Sequence, residues 1–444
     1  MSKIEVDAID KQSGSTLTLG GSGTAVTLAC RATQTGFGRT GTVDWDTTAK
    51  TASFTAVSGN GYFVNTTSGA ITVTMPAGSA GDIVSLADYT NTWQTNAVTV
   101  TPNGSDKIGG INANAILSTE GQSVTFVYVD ATEGWKNIQD STSNVIGNAF
   151  IVATGGTITT CGNCKIHTFT GPGTFCVSQV HPCAANNLVS YMVVAGGAGG
   201  ASTQGGGGAA GGFREYKSPV TPYTASPLDG NPGGTSITVT ASPFPITVGG
   251  GGTGRTHPSS CNGGTGSNSI FSSITSAGGG GGGQFNGGGA NGGSGGGGGG
   301  NGPGNAGGTG NTPPVSPSQG NNGGAGNQPD GAGGAGGGAG AVGGCSIPSP
   351  LNGGTGGAGV ATAISGSSTT YAGGGGGGAK TGAGGVAGSG GGGSGGSGNN
   401  PTPIVATAGT TNTGGGGGGG GNCGGTQDSA AGGSGIVIIR YKYQ

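Results

Sequence analysis

Short stretches of alternating apolar and polar residues occupy the first third of the chain. This period of two is typical of β-strands that bury one face. Turn residues such as Ser58-Gly59-Asn60-Gly61 and Pro76-Ala77-Gly78 separate the stretches. The pattern predicts an N-terminal β-sandwich over residues 43–147, with further strand signals at residues 15–29 and strands at residues 51–57, 61–65, 70–75, 82–88, 97–102 and 122–130.

Large aromatic side chains in this region are predicted to fill the core of the sandwich. A buried aromatic ring removes a large apolar area from water, so it usually anchors a core. Six residues meet this description: Trp45, Phe54, Phe63, Trp93, Phe126 and Trp135. A short β-rich connector with a cysteine cluster is predicted at residues 148–195, because residues 149–152 and 165–169 alternate in the same way and Gly171-Pro172-Gly173 forms a turn.

Glycine dominates the rest of the chain. Of the 116 glycines, 93 lie in residues 191–444, many of them in unbroken runs such as Gly278–Gly283 and Gly414–Gly421. Glycine loses the most backbone entropy on folding and adds no side chain to a core, so this part is no ordinary globular domain. It forms either a flexible coil or an ordered lattice in which backbone packs against backbone.

Two apolar strands bracket the glycine-rich part and favour the ordered alternative. Residues 189–195 open it, and Gly435-Ile436-Val437-Ile438-Ile439-Arg440-Tyr441 closes it. We expect these strands to pair and form a β platform from which the glycine runs project. In polyglycine II the chain is a left-handed helix with three residues per turn, and its amides and carbonyls point outward to neighbouring helices. The fold class is therefore predicted as all-β, with packed polyglycine-II helices over residues 196–444.

Composition and charge narrow the class of protein. The chain carries 14 Lys and Arg against 16 Asp and Glu, and these basic residues do not cluster, so a nucleic-acid partner is not expected. No apolar run is long enough to predict a membrane-spanning helix. The start of the chain lacks the apolar segment of a secretory signal, so we expect synthesis in a host cytoplasm. Carboxylates are sparse after residue 190 and Gly-x-Gly-x-x-Gly matches follow from composition alone, so neither an enzyme nor a cofactor is expected.

Several phrases of the sequence resemble phage structural proteins. The segments Trp45…Thr51-Ala52-Ser53-Phe54 and Gly61-Tyr62-Phe63-Val64-Asn65-Thr66-Thr67 are similar to a recurrent domain of marine tailed-phage tail fibres. Residues 165–175, Tyr191-Met192-Val193-Val194-Ala195-Gly196-Gly197 and residues 433–441 resemble the glycine-rich C-terminal domain of phage virion proteins. The resemblance touches most of the chain, and its phrases carry no catalytic signature.

The resemblance implies a virion fibre that attaches the particle to its host. Residues 1–42 would then be a virion-attachment segment that docks on other virion structural proteins, and the loops of the glycine-rich domain would contact a host cell-surface receptor, a glycan or an outer-membrane protein. We expect a homotrimer, since a trimer supplies interface to a chain with a small core. The alternative is a purely structural virion component, such as a capsid or neck fibre or a decoration protein, without a receptor.

Specificity in such a domain should lie where glycine is interrupted. Proline holds a loop in one shape, and aromatic and amide side chains suit sugar faces and hydroxyl groups. The alternative for each residue is that it only turns the chain or fills the edge of the lattice. The candidate receptor contacts are Gln284, Phe285, Asn286, Pro313, Pro314, Pro348, Pro350, Tyr371, Asn399, Asn400 and Pro401.

Eight cysteines allow three interpretations. Cys161, Cys164, Cys176 and Cys183 cluster within 23 residues, next to His167 and His181. A disulfide cluster suits an extracellular fibre, free buried thiols are the second interpretation, and a zinc site is the third. The spacing matches no standard zinc motif, so no metal site is predicted, and the connectivity of disulfides cannot be read from sequence.

Overall fold

The computed structural model describes residues 43–140, 150–233, 235–259, 261–302, 305–327, 331–349, 351–398, 403–422 and 428–444. The chain divides into two compact units, Met1–Ile146 and Gly147–Gln444. The predicted attachment segment 1–42 and the strand signals at residues 15–29 lie outside the described residues.

Within its described residues, the first unit has nine strands divided between two sheets. β1, β3, β5, β8 and β9 form one sheet in that order, and β2, β4, β6 and β7 form the other. Because the chain crosses from sheet to sheet after each of the first five strands, neighbours such as β1 and β3 run parallel. The bounds are β1 Asp44–Lys50, β2 Phe54–Thr55, β3 Asn60–Val64, β4 Ile71–Thr74, β5 Ile83–Asp88, β6 Val98–Thr101, β7 Ala115–Leu117, β8 Ser123–Tyr128 and β9 Trp135–Asp140.

The two sheets share one apolar core, so the predicted sandwich is present. Trp93, Phe126 and Trp135 are fully buried in it, and Phe54 packs against its edge. Trp45 and Phe63 were predicted in the core, and this is wrong. Tyr62 and Val64 face the core, so the intervening Phe63 points to the outer face, where the ring of Trp45 stacks 4.8 Å from it between centroids.

In the part of the second unit that the structure describes, there are thirteen strands and one short 3₁₀ helix at Ala184–Asn187. The strand bounds are β10 Val152–Thr154, β11 Thr157–Cys161, β12 Cys164–Phe169, β13 Gly173–Gln179, β14 Leu188–Val194, β15 Phe213–Tyr216, β16 Ile237–Thr238, β17 Pro243–Thr247, β18 Ser269–Phe271, β19 Ile274–Ser276, β20 Val360–Thr362, β21 Thr369–Tyr371 and β22 Ile436–Lys442. These strands form the β platform, and the glycine runs extend from it.

The last strand of the chain lies in the middle of the platform. β22 pairs antiparallel with β14, with Val437 opposite Val193, so the predicted pairing of the opening and closing strands is confirmed. On its other side β22 pairs with β12. The predicted connector at residues 148–195 is therefore no separate segment: its strands are integral to the glycine-rich unit, because β12 needs β22 and β13 needs β17 to complete their hydrogen bonds.

The sheet that holds β22 is covered on both faces. Val437, Ile439 and Tyr441 pack into a core shared with the sheet of β10, β13, β17, β18 and β19. Ile436 and Ile438 point the other way, into a core with the β20–β21 hairpin. Side chains from both faces of one strand are thus buried, which explains why the closing segment is an almost unbroken apolar run.

Two buried charged side chains fasten loops to the platform. The carboxylate of Glu215 accepts hydrogen bonds from the Thr362 hydroxyl at 2.5 Å and from the Ser226 amide at 2.9 Å. Burial raises the pKa of Glu215 above its usual value. The guanidinium of Arg440 donates to the carbonyl of Pro222 at 2.9 Å. Both charged groups therefore form hydrogen bonds within the protein, as is usual for buried polar groups.

The glycine segments are helices with three residues per turn. The segment at residues 205–212 demonstrates this, because successive amides donate to three different neighbours and the pattern repeats every third residue. Gly206 and Ala209 donate to residues 283 and 280, Gly207 and Ala210 to residues 334 and 337, and Gly208 and Gly211 to residues 417 and 414. No glycine of this segment has a positive φ. This geometry is that of polyglycine II.

Segment 205–212 sits at the centre of a hexagonal arrangement. Its amides and carbonyls hydrogen-bond to six neighbouring segments, at residues 195–201, 277–283, 295–300, 332–338, 372–379 and 414–421. A Cβ on Gly207 would lie 2.2 Å from the carbonyl oxygen of Gly375. A side chain is therefore excluded at contacts as close as this one, and the predicted lattice of packed polyglycine-II helices is the architecture of this unit.

Candidate functional site

The glycine segments end in loops on the side away from the platform. Gly278–Gly283 connects Ala277, next to β19, with the loop that begins at Gln284. At about 3.1 Å per residue, these six residues span roughly 20 Å. We call the end of the lattice that carries residues 202–204, 256–259 and 284–286 the distal end.

Three distal loops surround a cavity of about 430 Å³. The first loop contributes Thr203, the second contributes residues 257–259, and the third contributes residues 284–286. His257 and Asn286 are exposed, whereas Phe285 is half-buried. The cavity is thus open at the surface. We refer to it as the distal cavity.

The first loop is a tight reversal between two glycine segments. Thr203 and Gln204 both have positive φ, at 54° and 52°. The amide of Ala201 donates to the carbonyl of Gly206 at 3.1 Å across the turn, and the amide of Gln204 donates to Gly421 at 3.2 Å. These bonds place the Thr203 hydroxyl at the cavity wall.

The second loop is held by the segment that precedes the closing strand. The amide of His257 donates to the Asp428 carboxylate at 2.7 Å, and the amide of Arg255 donates to the Ser429 hydroxyl at 2.7 Å. The Nδ1 atom of the His257 ring lies 2.8 Å from the Thr203 hydroxyl. Asp428 therefore bonds the backbone and not the ring, so this pair does not form the carboxylate–imidazole arrangement of a general base.

The third loop is fixed through its backbone, which leaves its side chains at the cavity. The amide of Gln284 donates to the side-chain oxygen of Asn262 at 3.0 Å, and the carbonyl of Phe285 accepts from the amide of Asn301 at 2.9 Å. In the described part of the chain, the side-chain amides of Gln284 and Asn286 make no hydrogen bond to protein. They are available to a ligand, as donors and as acceptors.

The candidate residues predicted from the sequence are divided between the two ends of the lattice. Gln284, Phe285 and Asn286 come together at the distal cavity, and Pro348 is exposed in another distal turn, closed by a bridge between Ile347 and Asn352. Four candidates lie outside the described residues: Pro350, Asn399, Asn400 and Pro401.

Three predicted contacts lie elsewhere. Tyr371 is a core residue, only 6% exposed, because β21 turns it towards the face of the platform that Ile438 also occupies. Its assignment to a receptor-contact loop is therefore corrected. Pro313 and Pro314 are exposed, but at the platform end: the side chain of Gln319 donates to the carbonyl of Pro313, and the backbone carbonyl of Gln319 accepts from Phe213 in β15.

The sequence interpretation missed half of the distal cavity. Thr203, His257 and Ser259 line it, and none of them was a candidate contact. Their signal was the interruption of glycine runs at Ser202-Thr203-Gln204 and at Thr256-His257-Pro258-Ser259. That signal did not reveal that two interruptions 54 residues apart meet.

The cysteine cluster is spread over two sheets, and all six described cysteines are free thiols. Cys161 and Cys164 face each other across the β11–β12 turn, with Cys164 buried, while Cys176 and Cys183 are exposed. The disulfide cluster is not formed in this structure and stays a prediction for an oxidising medium. Cys30 and Cys423 lie outside the described residues.

The histidines of this region are engaged in other contacts. His167 is fully buried; its Nδ1 donates to the carbonyl of Gly155 at 2.7 Å and its Nε2 accepts from the Tyr441 hydroxyl at 3.1 Å. His181 accepts a hydrogen bond from the amide of Cys183. Within the described ranges, no three His, Cys, Asp or Glu side chains converge to hold a metal ion.

The fold defines an all-β protein whose C-terminal unit is a glycine lattice on a β platform. A family model described as a glycine-rich domain matches residues 169–442, more than half of the chain. The protein therefore belongs to the glycine-rich domain family. A search of curated proteins gave no match. Among the described residues, we find no apolar helix of the length that a bilayer crossing requires.

Proposed function

We propose that the protein is a phage virion fibre protein that attaches the particle to its host through the distal loops of the glycine lattice. The proposal rests on the distal cavity, where three loops meet at the end of the glycine lattice. These loops bring together the ring of Phe285, the side-chain amides of Gln284 and Asn286, and the Thr203 hydroxyl, which lies 2.8 Å from Nδ1 of His257. Because the lattice is held by backbone hydrogen bonds, it presents these loops at a fixed distance from the platform. The resemblance to tail-fibre proteins supports the part of the proposal that assigns the protein to a phage particle.

The expected partners follow from this role. Residues 1–42 would dock on other virion proteins, and a host cell-surface receptor would occupy the distal end. Self-association as a homotrimer is supported by apolar side chains that the lattice leaves in water, among them Val342 and Val386, at 63% and 66% exposure. The same exposure favours the alternative of a purely structural virion component, which would use these surfaces and need no receptor.

Binding of the purified full chain to cells separates the two functions. We expect labelled protein to bind a subset of a panel of marine bacteria. Replacing Gln284, Phe285 and Asn286 together by alanine should weaken that binding at least tenfold, because an aromatic anchor and two amides are lost; tenfold corresponds to about 1.4 kcal/mol.

A control with the same kind of change at the platform end is Pro314→Ala with Ser316→Ala, two exposed residues. It should keep binding within about twofold, since these residues lie away from the distal loops. Equal losses in both variants, or no binding to any strain together with a normal assembled particle, would favour the structural component.

A further inference from the structure

We propose that the distal cavity binds neutral sugar residues at the end of a cell-surface glycan. This inference rests on the proposed host attachment for its biological setting and adds the chemical class of the receptor. Its basis is the size of the cavity, the chemistry of its wall and the charge of its surroundings.

The size of the cavity fits a small polar ligand. Its volume of about 430 Å³ falls within the range of about 300–1,000 Å³ that is usual for small-molecule sites. A folded protein partner would instead need about 800 Å² of surface on each side. A concave site of this volume is suited to one or two sugar rings rather than to the face of a protein.

The wall of the cavity combines flat apolar groups with neutral hydrogen-bonding groups. Phe285 and Pro258 offer ring faces, against which the C–H face of a pyranose can pack. Gln284 and Asn286 each carry one acceptor and two donor hydrogens, which match the dual character of a sugar hydroxyl. The Thr203 hydroxyl adds a further polar group from the opposite loop.

Among the described residues, no Lys, Arg, Asp or Glu side chain lines the cavity. Two charged side chains of the neighbouring segments are bonded to protein backbone: the Asp428 carboxylate accepts the amide of His257, and the Arg255 guanidinium donates from Nε to the carbonyl of Asn262 at 2.7 Å. Recognition of a carboxylated or phosphorylated sugar normally uses an arginine or lysine aimed at the anion. The charge distribution therefore favours neutral sugars.

The loops are also held in place before a ligand arrives. Each of the three is fixed by backbone hydrogen bonds to a different glycine segment or neighbouring loop, through Gln204, His257 and Gln284. Binding then costs little ordering of the chain, which suits the small contact area of a single sugar.

Titration with simple glycosides tests the proposal directly. The probes are methyl glycosides of glucose, galactose, mannose and N-acetylglucosamine, with glucuronic acid and N-acetylneuraminic acid as anionic counterparts. Saturation-transfer NMR and calorimetry on the full chain report binding. We expect at least one neutral glycoside to bind and the anionic sugars to bind more weakly; no binding of any neutral glycoside, or tighter binding of an anionic sugar, overturns the proposal.

Variants locate the binding at the distal cavity. Phe285→Ala should weaken the neutral glycoside about tenfold through loss of the ring face, and Phe285→Tyr should retain binding. Gln284→Ala should weaken it about fivefold through one lost hydrogen bond. Ser316→Ala, an exposed residue at the platform end, is the control and should leave affinity unchanged. Unaltered thermal melting of each variant shows that folding is intact, and unchanged affinity in Phe285→Ala contradicts the site.

A second measurement distinguishes failure of the proposed glycan binding from failure of the proposed host attachment. Cells to which the protein binds are treated with periodate, which destroys sugar rings, or with protease. Loss of binding only after protease treatment leaves attachment standing and overturns the glycan. Glycoside binding without attachment to any cell supports the cavity and contradicts the role in attachment.

Discussion

At the scale of single residues, the glycines inside the lattice are important because they have no Cβ. Where two segments meet, the position of a missing Cβ is taken by the carbonyl oxygen of a neighbour, as at Gly207 and the oxygen of Gly375. That oxygen also accepts the amide of Gly336 at 2.9 Å, so it cannot move without breaking a hydrogen bond. The lattice is therefore sensitive to a single methyl group.

Gly207→Ala tests this sensitivity. We expect a loss of about 1–3 kcal/mol in the free energy of unfolding, the range for overpacking a dense interior. The control is Gly250→Ala, since a Cβ at Gly250 meets nothing within 4 Å and its φ is not positive. That change should be neutral or stabilise by about 0.4–1 kcal/mol, because it restricts the unfolded chain. Urea unfolding measures both, and equal effects would contradict a lattice held by close backbone contact.

His167 gives the stability of the platform a dependence on pH. Burial lowers the pKa of His167 below its ordinary value of 6.5, so the folded protein keeps the ring neutral. The unfolded chain takes up a proton below about pH 6.5. The stabilising contribution is therefore complete above that pH and is lost as pH falls through the lowered pKa of the folded state. Glu215 works in the opposite direction, because its raised pKa removes stability as pH rises above its ordinary value of 4.5.

Comparison with a variant isolates the histidine. The urea midpoint of the native protein should fall between about pH 7 and pH 5 by more than that of His167→Asn, which cannot titrate there. Comparing the change in midpoint within each protein removes the effect that the substitution itself has on stability. The same decline in His167→Asn as in the native protein would assign the effect to other groups.

At the scale of elements, one strand decides whether the glycine-rich unit closes. β22 has neighbours on both edges and buried side chains on both faces. It also receives the chain as it returns from the last glycine segment. The platform and lattice should therefore lose their structure together when this strand is weakened.

Ile439→Ala tests the closing strand. Ile439 is fully buried, and truncation should cost about 2–5 kcal/mol with a single unfolding transition. Ile158→Ala on β11, where the side chain is 43% exposed, makes the same chemical change and should stay within about 0.5 kcal/mol. Circular dichroism during urea unfolding gives both values. A separate early transition in Ile439→Ala would mean that the lattice does not depend on β22.

The alternation of apolar residues predicted some elements well and missed others. The strand predicted at residues 82–88 is β5, at Ile83–Asp88, because its apolar side chains face one core. β1, at Asp44–Lys50, was not predicted: it is an edge strand whose residues are all exposed or half-buried, so no alternation marks it. Ser272, at a φ of 52°, turns the chain between β18 and β19, a reversal that the alternation of apolar residues does not mark.

At the scale of the whole molecule, the chain forms two units whose cores are built differently. The core of the first unit is built from side chains, whereas the second combines a side-chain platform with a lattice held by backbone hydrogen bonds. The cell-binding test belongs to this scale, because it asks whether the loops of the second unit attach the whole protein to a cell.

The sequence by itself determined the class of architecture. Glycine content excluded a conventional core, the apolar segments at residues 189–195 and 435–441 required a common platform, and a period of two specified strands before residue 140. Each of these follows from local chemistry: backbone entropy, side-chain burial and the pleat of a strand. The lattice was one of two alternatives that this chemistry allowed.

Only the tertiary structure decided which loops meet. Glycine runs are nearly identical in sequence, so the local sequence does not specify which run lies beside which. The neighbours of a run are known only from its hydrogen bonds, as for segment 205–212. That arrangement brings Thr203, His257 and Phe285 to one cavity, places Pro313 at the other end and buries Tyr371. A contact between residues far apart in the chain depends on the path of every segment between them, and this path is a property of the whole fold.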